Sequence, residues 1–146
     1  MHQESGKLAA GSAAEVSLVV QVSDLAKALA ISTEDDFPEV FATSRMIALM
    51  ELAAARCMKT VLQPGDLSVG VGVNIMHLAA TPAGVKVTAR AVFNEHNGKL
   101  YCFTLEAFDE AGLIGKGQHT RAVISTERLL SGAQTRMADA GHTRVK

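Results

Sequence analysis

Apolar positions along this chain fall into two kinds of run. From 46 to 62 they are nearly continuous: Met46, Ile47, Leu49, Met50, Leu52, Ala53, Ala54, Ala55, Cys57, Met58, Val61 and Leu62 follow one another with little polar interruption. That pattern predicts one long helix, its N-cap oxygen supplied by Thr43 or Ser44 and its end marked by Pro64 and Gly65. At about 1.5 Å per residue it would span roughly 27 to 30 Å, and a helix apolar nearly all round is normally buried. Shorter apolar runs bounded by turn residues predict strands at 15–22, 68–78, 85–95, 100–108 and 113–126.

The connections set the fold class. Ser23 and Asp24 offer a cap for a short helix over 25–30, and an acidic loop, 31–41, leads into the long helix. Turns at 81–84, at Asn97-Gly98 and at 110–112 join the last four strands. Such short turns cannot connect parallel neighbours, so the sheet must be antiparallel, and the expected class is α+β with one helix laid against one sheet. The whole chain, 1–146, reads as a single domain with an ordered core of about 15–127. The first 13 residues are expected to be loose. The last twenty are polar, with a short helix around Arg128 and Leu129 and disorder beyond it. One sheet and one helix leave an edge and a face open, for which a second copy is the natural cover, so a homodimer is expected.

Composition narrows the function classes. Fourteen Lys and Arg stand against 15 Asp and Glu, which favours neither nucleic acid nor an anionic membrane. A small molecule suits this balance better. The uncharged stretch 67–85 is broken by Gly70, Gly72, Asn74, His77, Pro82 and Gly84, so it does not read as a membrane span. The N-terminal residues lack a basic region followed by an apolar core, so no secretion signal is expected. Cys57 and Cys102 lie inside apolar segments without metal-ligand spacing. They read as reduced thiols of a cytoplasmic protein, and no metal is expected.

Two residues break the apolar pattern. Glu51 sits in the long helix roughly 80 to 140° away from the stripe of Arg45, Arg56 and Lys59, so it finds no cation along its own helix. Either its carboxylate reaches solvent or a backbone donor, or it is a functional acid held in an apolar wall. In 68–78, strict alternation places Val69, Val71, Val73, Ile75 and His77 on one face and Ser68, Gly70, Gly72, Asn74 and Met76 on the other. His77 is then either a hydrogen-bonded core residue or a proton carrier. The paired glycines point to a close approach or a bulge, and a bulge would reset the facing of His77. Gly115, Gly117, His119 and Arg121 alternate on one face of the last strand.

Three blocks, FPEVFAT with MIALMELAAARCM, then VGVGVNIMHLAATPAGVKVTA, then GKGQHTRAVI, resemble the hotdog fold and, within it, the fluoroacetyl-CoA thioesterase family, over about residues 15–127. The resemblance implies a curved antiparallel sheet wrapped around a long central helix. It implies hydrolysis of a small acyl-CoA thioester, with Thr43, Glu51 and His77 as the catalytic set and Phe37, Gly70 and Arg121 contacting substrate. CoA would be part of the substrate, and no separate cofactor is implied. Glu34, Ser44-Arg45 and Leu52 depart from the family pattern, so the resemblance speaks for the reaction and not for the acyl group. A non-catalytic acyl-CoA-binding or sensing module, and an acyl-CoA hydratase or dehydratase, are the alternatives.

Overall fold

The computed structural model describes residues 7–144. The chain runs through β1 (Ala13–Val19), two 3-10 turns (Val22–Asp24 and Ala26–Leu29) and α1 (Thr43–Cys57) with a 3-10 extension (Met58–Val61). Four strands follow, β2 (Asp66–His77), β3 (Lys86–Asn97), β4 (Leu100–Asp109) and β5 (Gly112–Ser125), and then α2 (Thr126–Arg144). All ladders are antiparallel and the order across the sheet is β1-β3-β4-β5-β2, which leaves β1 and β2 at the edges.

The core forms where α1 crosses the sheet. Met46, Leu49, Met50, Ala53, Ala54 and Cys57 are its buried face. They pack with Val16 of β1, Val87, Ala89, Ala91 and Phe93 of β3, and Phe103, Leu105 and Ala107 of β4. Small residues on the strands let the helix come close, and each large side chain buried there contributes roughly 1.5 to 3 kcal/mol. α1 lies mainly over β1 and β3 and only lightly over β2. The expectation of a helix buried all round therefore holds on one side alone: Leu52 is 42% exposed, and Leu67, Val71, Val73 and Met76 of the edge strand are exposed as well.

Several boundaries differ from the sequence reading, each for a local reason. The N-cap of α1 is Ala42, with no side-chain cap bond, because the Thr43 hydroxyl is engaged by His77 instead. Five residues earlier than expected, at Cys57, the α-helix tightens into a 3-10 turn. The helix expected over 25–30 is a pair of 3-10 turns flanking Leu25, which bridges to Phe41. Asn97 remains in the β3 ladder opposite Leu100, so the hairpin turn is Gly98-Lys99, with φ positive at Gly98 only.

The ends differ most. Residues 1–6 of the expected loose N-terminal stretch lie outside the described residues, but Gly11 N–H donates to the Phe93 carbonyl and Phe93 N–H to that of Ser12, so the chain is tied to β3 ahead of β1. At the other end a 19-residue helix stands where a short one and then disorder were expected, with only residues 145–146 outside the described set. Ser125 starts it by accepting the Arg128 N–H at 3.3 Å. Among the described residues no helix is long and apolar enough to cross a membrane.

Candidate active site

The residues singled out in the sequence form two clusters on the concave side of the sheet. The first lies at the start of α1. Thr43 is its first residue and His77 the last of β2; Thr43 Oγ1 and His77 Nδ1 are 2.7 Å apart. Phe37, Pro38, Phe41 and Leu78 line an open cleft of about 440 Å³ with them. Within the described residues the buried Nε2 of His77 has no hydrogen-bond partner. Burial lowers the His77 pKa from 6.5, with the Ala79 backbone opposing, so the ring is neutral at neutral pH. His77 thus presents a neutral ring, held at Nδ1 by the Thr43 hydroxyl, at the lining of the cleft.

The second cluster centres on Arg121 of β5, which is 6% exposed. Its Nη1 donates to Glu51 Oε2 at 3.3 Å, its Nε to Ser68 Oγ at 3.0 Å and its Nη2 to the Ser68 carbonyl at 2.9 Å. Glu51 thus has a cation after all, supplied from 70 residues away and not from its own helix. His119, two residues earlier on β5 and 2% exposed, completes the cluster: Nδ1 lies 2.8 Å from the Gly72 carbonyl and Nε2 lies 3.1 Å from Arg121 Nη1. Burial lowers the Arg121 pKa while Glu51 opposes it, and the guanidinium stays charged.

Gly70 is where a side chain cannot go. A Cβ there would collide with the Glu51 carboxylate and lie 3.3 Å from His119 Cε1. Strict alternation put Gly70 on the face opposite His77. The β2–β5 register shifts between Gly70 and Gly72, so Val71 is the extra residue of a bulge. On either side of it Gly70 pairs with Arg121 and His77 with Gly115, both on the concave side. Gly115 in turn leaves room for Met46, whose sulfur would be 2.6 Å from a Cβ there.

The structure thus brings Thr43, His77 and Phe37 together, and Glu51, Gly70 and Arg121 together, as two half-sites. Eight residues of α1, about 12 Å of rise, separate Thr43 from Glu51. Sequence reading did not include Ser68 or His119 in the site. The alternation of His119 with Arg121 was the available signal, whereas the Ser68 contact depends on pairing across strands.

A helix wrapped on one side by a curled antiparallel sheet, with ionisable groups gathered on the concave face, is the hotdog fold of thioesterases. A hot-dog-like protein from Thermanaerovibrio acidaminovorans superposes with a TM-score of 0.74 at 25% identity, over 87% of this chain and 91% of that one. The chain belongs to the fluoroacetyl-CoA-specific thioesterase family, whose model matches residues 20–127. The fluoroacetyl-CoA thioesterase of Streptantibioticus cattleyicolor is 43% identical over 93 residues, which are 64% of this chain and 67% of that protein. A crystal structure of a phenylalanine-to-alanine variant of the fluoroacetyl-CoA-specific thioesterase, in complex with fluoroacetate and CoA, superposes with a TM-score of 0.79. Its identity is 36%, over 83% of this chain and 98% of that one.

Proposed function

We infer that this protein hydrolyses a small acyl-CoA thioester to the free acid and CoA, and that it does so as a homodimer in the cytoplasm. The observation that carries the reading is the Thr43–His77 pair at the lining of its cleft, with the ring neutral. Hydrolysis of a thioester needs attack on the carbonyl carbon, a donor for the oxyanion and a proton for the departing thiolate. Glu51 supplies the attack, either directly or through a water that it deprotonates. Gly70 leaves room for the Glu51 carboxylate beside the substrate and offers its N–H to the oxyanion. Thr43 fixes the ring, His77 Nε2 delivers the proton to sulfur, and Arg121 holds the carboxylate and the acyl end. No cofactor is invoked, since CoA arrives with the substrate.

An open sheet edge supports the dimer. β2 is an edge strand, and Val73, paired with His119 on its helix-facing side, is exposed, as is Leu52 of α1. Antiparallel pairing of β2 with its copy sets the His77 end of one strand beside the Asp66 end of the other, so that each Thr43–His77 half-site meets the Glu51–Arg121 half-site of its neighbour. Thiol release from a panel of short acyl-CoAs tests the reaction, and absence of turnover on all of them would leave a binding module. Co-expression of Thr43→Ala with Glu51→Gln tests the assembly. Each variant alone should be inactive, while mixed dimers keep one intact site and regain activity; silent mixed dimers would place each site within one chain.

A further inference from the structure

The imidazole of His119 has no part in the reaction as set out above, yet both its nitrogens are committed and the ring is 2% exposed. A backbone carbonyl only accepts, so Nδ1 must carry the hydrogen directed at the Gly72 oxygen, 2.8 Å away. In a neutral ring the lone pair is then on Nε2, and Arg121 Nη1 donates to it at 3.1 Å. A protonated ring would set N–H against N–H at that contact. Only one tautomer of one charge state fits.

We propose that His119 is a positioning residue of this site: its Nδ1–H tautomer ties the Arg121 guanidinium to the bulged stretch of β2 and so keeps Arg121 in register with Glu51 and Gly70. The inference rests on the thioesterase reading for what Arg121 and Glu51 do. It does not rest on that reading for the geometry. Arg121 is anchored by Ser68 on one side and by His119 on the other, and the remaining partner, Glu51, is a half-exposed carboxylate at the end of a flexible side chain. Without an acceptor at Nε2, the guanidinium keeps its charge but loses the contact that turns Nη1 toward Glu51. Without a donor at Nδ1, the Gly72 carbonyl just past the bulge is left without this bond, and the bulge is what brings Gly70 to the concave face.

The surroundings favour the neutral ring. The charged groups facing it are Arg121 on its own strand and Glu51 from α1; β2 presents the neutral Gly72 carbonyl, and β4 the Phe103 ring with centroids 6.4 Å apart. Burial lowers its pKa first, the Gly72 carbonyl opposes, the Arg121 charge lowers it further and Glu51 raises it. With its edges occupied and almost no exposed surface, His119 acts through Arg121 and not on substrate.

Two substitutions separate the nitrogens. His119→Asn keeps a donor near Nδ1 and offers nothing at Nε2; His119→Gln reaches the Nε2 position with an acceptor oxygen. Acyl-CoA turnover of both is compared in the wild-type and Arg121→Lys backgrounds, with melting temperature alongside. The expected result is a loss of about 10-fold or more in kcat/KM for His119→Asn, most of it restored in His119→Gln. In the Arg121→Lys background, His119→Asn should cost less than about 2-fold more, because the residue it positions is already changed. Equal losses in both variants that track melting, or losses that multiply in the double variant, would overturn the proposal. Imidazole ¹⁵N NMR of the wild-type protein gives a readout independent of turnover: an Nε2–H tautomer, or titration at or above 6.5, overturns it as well. A wild-type protein with the Nδ1–H tautomer and no turnover of any acyl-CoA would count against the thioesterase reading alone.

Discussion

Replacing Glu51 by glutamine removes one charge and almost no volume, and the structure gives the sign of its effect on stability. An isolated carboxylate in an apolar wall would be relieved by neutralisation. Here the carboxylate stands 3.3 Å from a guanidinium whose side chain is 7% exposed, while the Glu51 side chain is 40% exposed. The exposed partner is screened by water, which holds the net value of the pair well below that of a buried one. Arg121 also keeps its Ser68 and His119 contacts in the variant, and the glutamine oxygen can still accept from Nη1. The cost should be about 1 to 2 kcal/mol, or roughly 2 to 8 °C in melting temperature for a chain of this size. Turnover should fall by about 10²-fold or more, since an amide neither attacks nor takes a proton. Thermal melts followed by circular dichroism, together with initial rates of thiol release, measure both. A variant that melts several degrees lower yet hydrolyses acyl-CoA at the wild-type rate would make Glu51 a structural partner of Arg121 and refute its catalytic role. One that melts higher would show that the pair stabilises nothing.

Glycines of the concave face should separate function from folding. Gly70→Ala pushes on a flexible carboxylate and should cut turnover on the order of 10-fold with a small change in melting, whereas Gly117→Ala meets the Asn74 carbonyl and the Ile75 backbone and should cost about 3 kcal/mol, read by denaturant unfolding. Phe37 is 48% exposed and lines the cleft of Thr43 and His77, so Phe37→Ala should change the ranking of acyl-CoAs in the panel more than it changes melting. Acidification should destabilise the protein: His77 and His119 hold their pKa values below 6.5 when folded, so below about that pH the unfolded chain binds more protons than the folded one. Melting temperature should fall as pH drops from about 6.5 toward the folded values, and His119→Gln should flatten part of that slope.

The long helix and the four closing strands were legible because their signals are local: an uninterrupted apolar run for α1, and glycine-bearing turns between strands. Boundaries that depend on a partner elsewhere were not. Nothing near Thr43 says that its hydroxyl will turn to His77, 34 residues on, and leave the cap to Ala42. α2 was underread because Gly132, Gly141 and its many polar side chains lower the apolar signal, while the Ser125 cap belongs by pattern to the preceding strand. How α1 divides between sheet and solvent was also hidden, since Met50 and Leu52 look alike in sequence and only the curl of the sheet decides which is covered.

Parity explains what the sequence could and could not say about the site. Along a strand a side chain's face follows from counting in twos, and one inserted residue reverses the count. Alternation divided Gly70 from His77, although the family resemblance required both to face one substrate. The Val71 bulge removes the conflict by moving the count one place between them, and the glycines at 70 and 72 that weaken the strand are what make that insertion easy. A strand that reads poorly as packing material is in this chain the strand that carries Gly70 and His77 of the candidate site. The same bulge sets the Gly72 carbonyl against His119, and through it the bend in an edge strand is joined to the orientation of Arg121. Catalytic geometry here is therefore expected to be most sensitive to changes that alter the bulge, and less so to changes in the apolar face of α1 that only reduce packing.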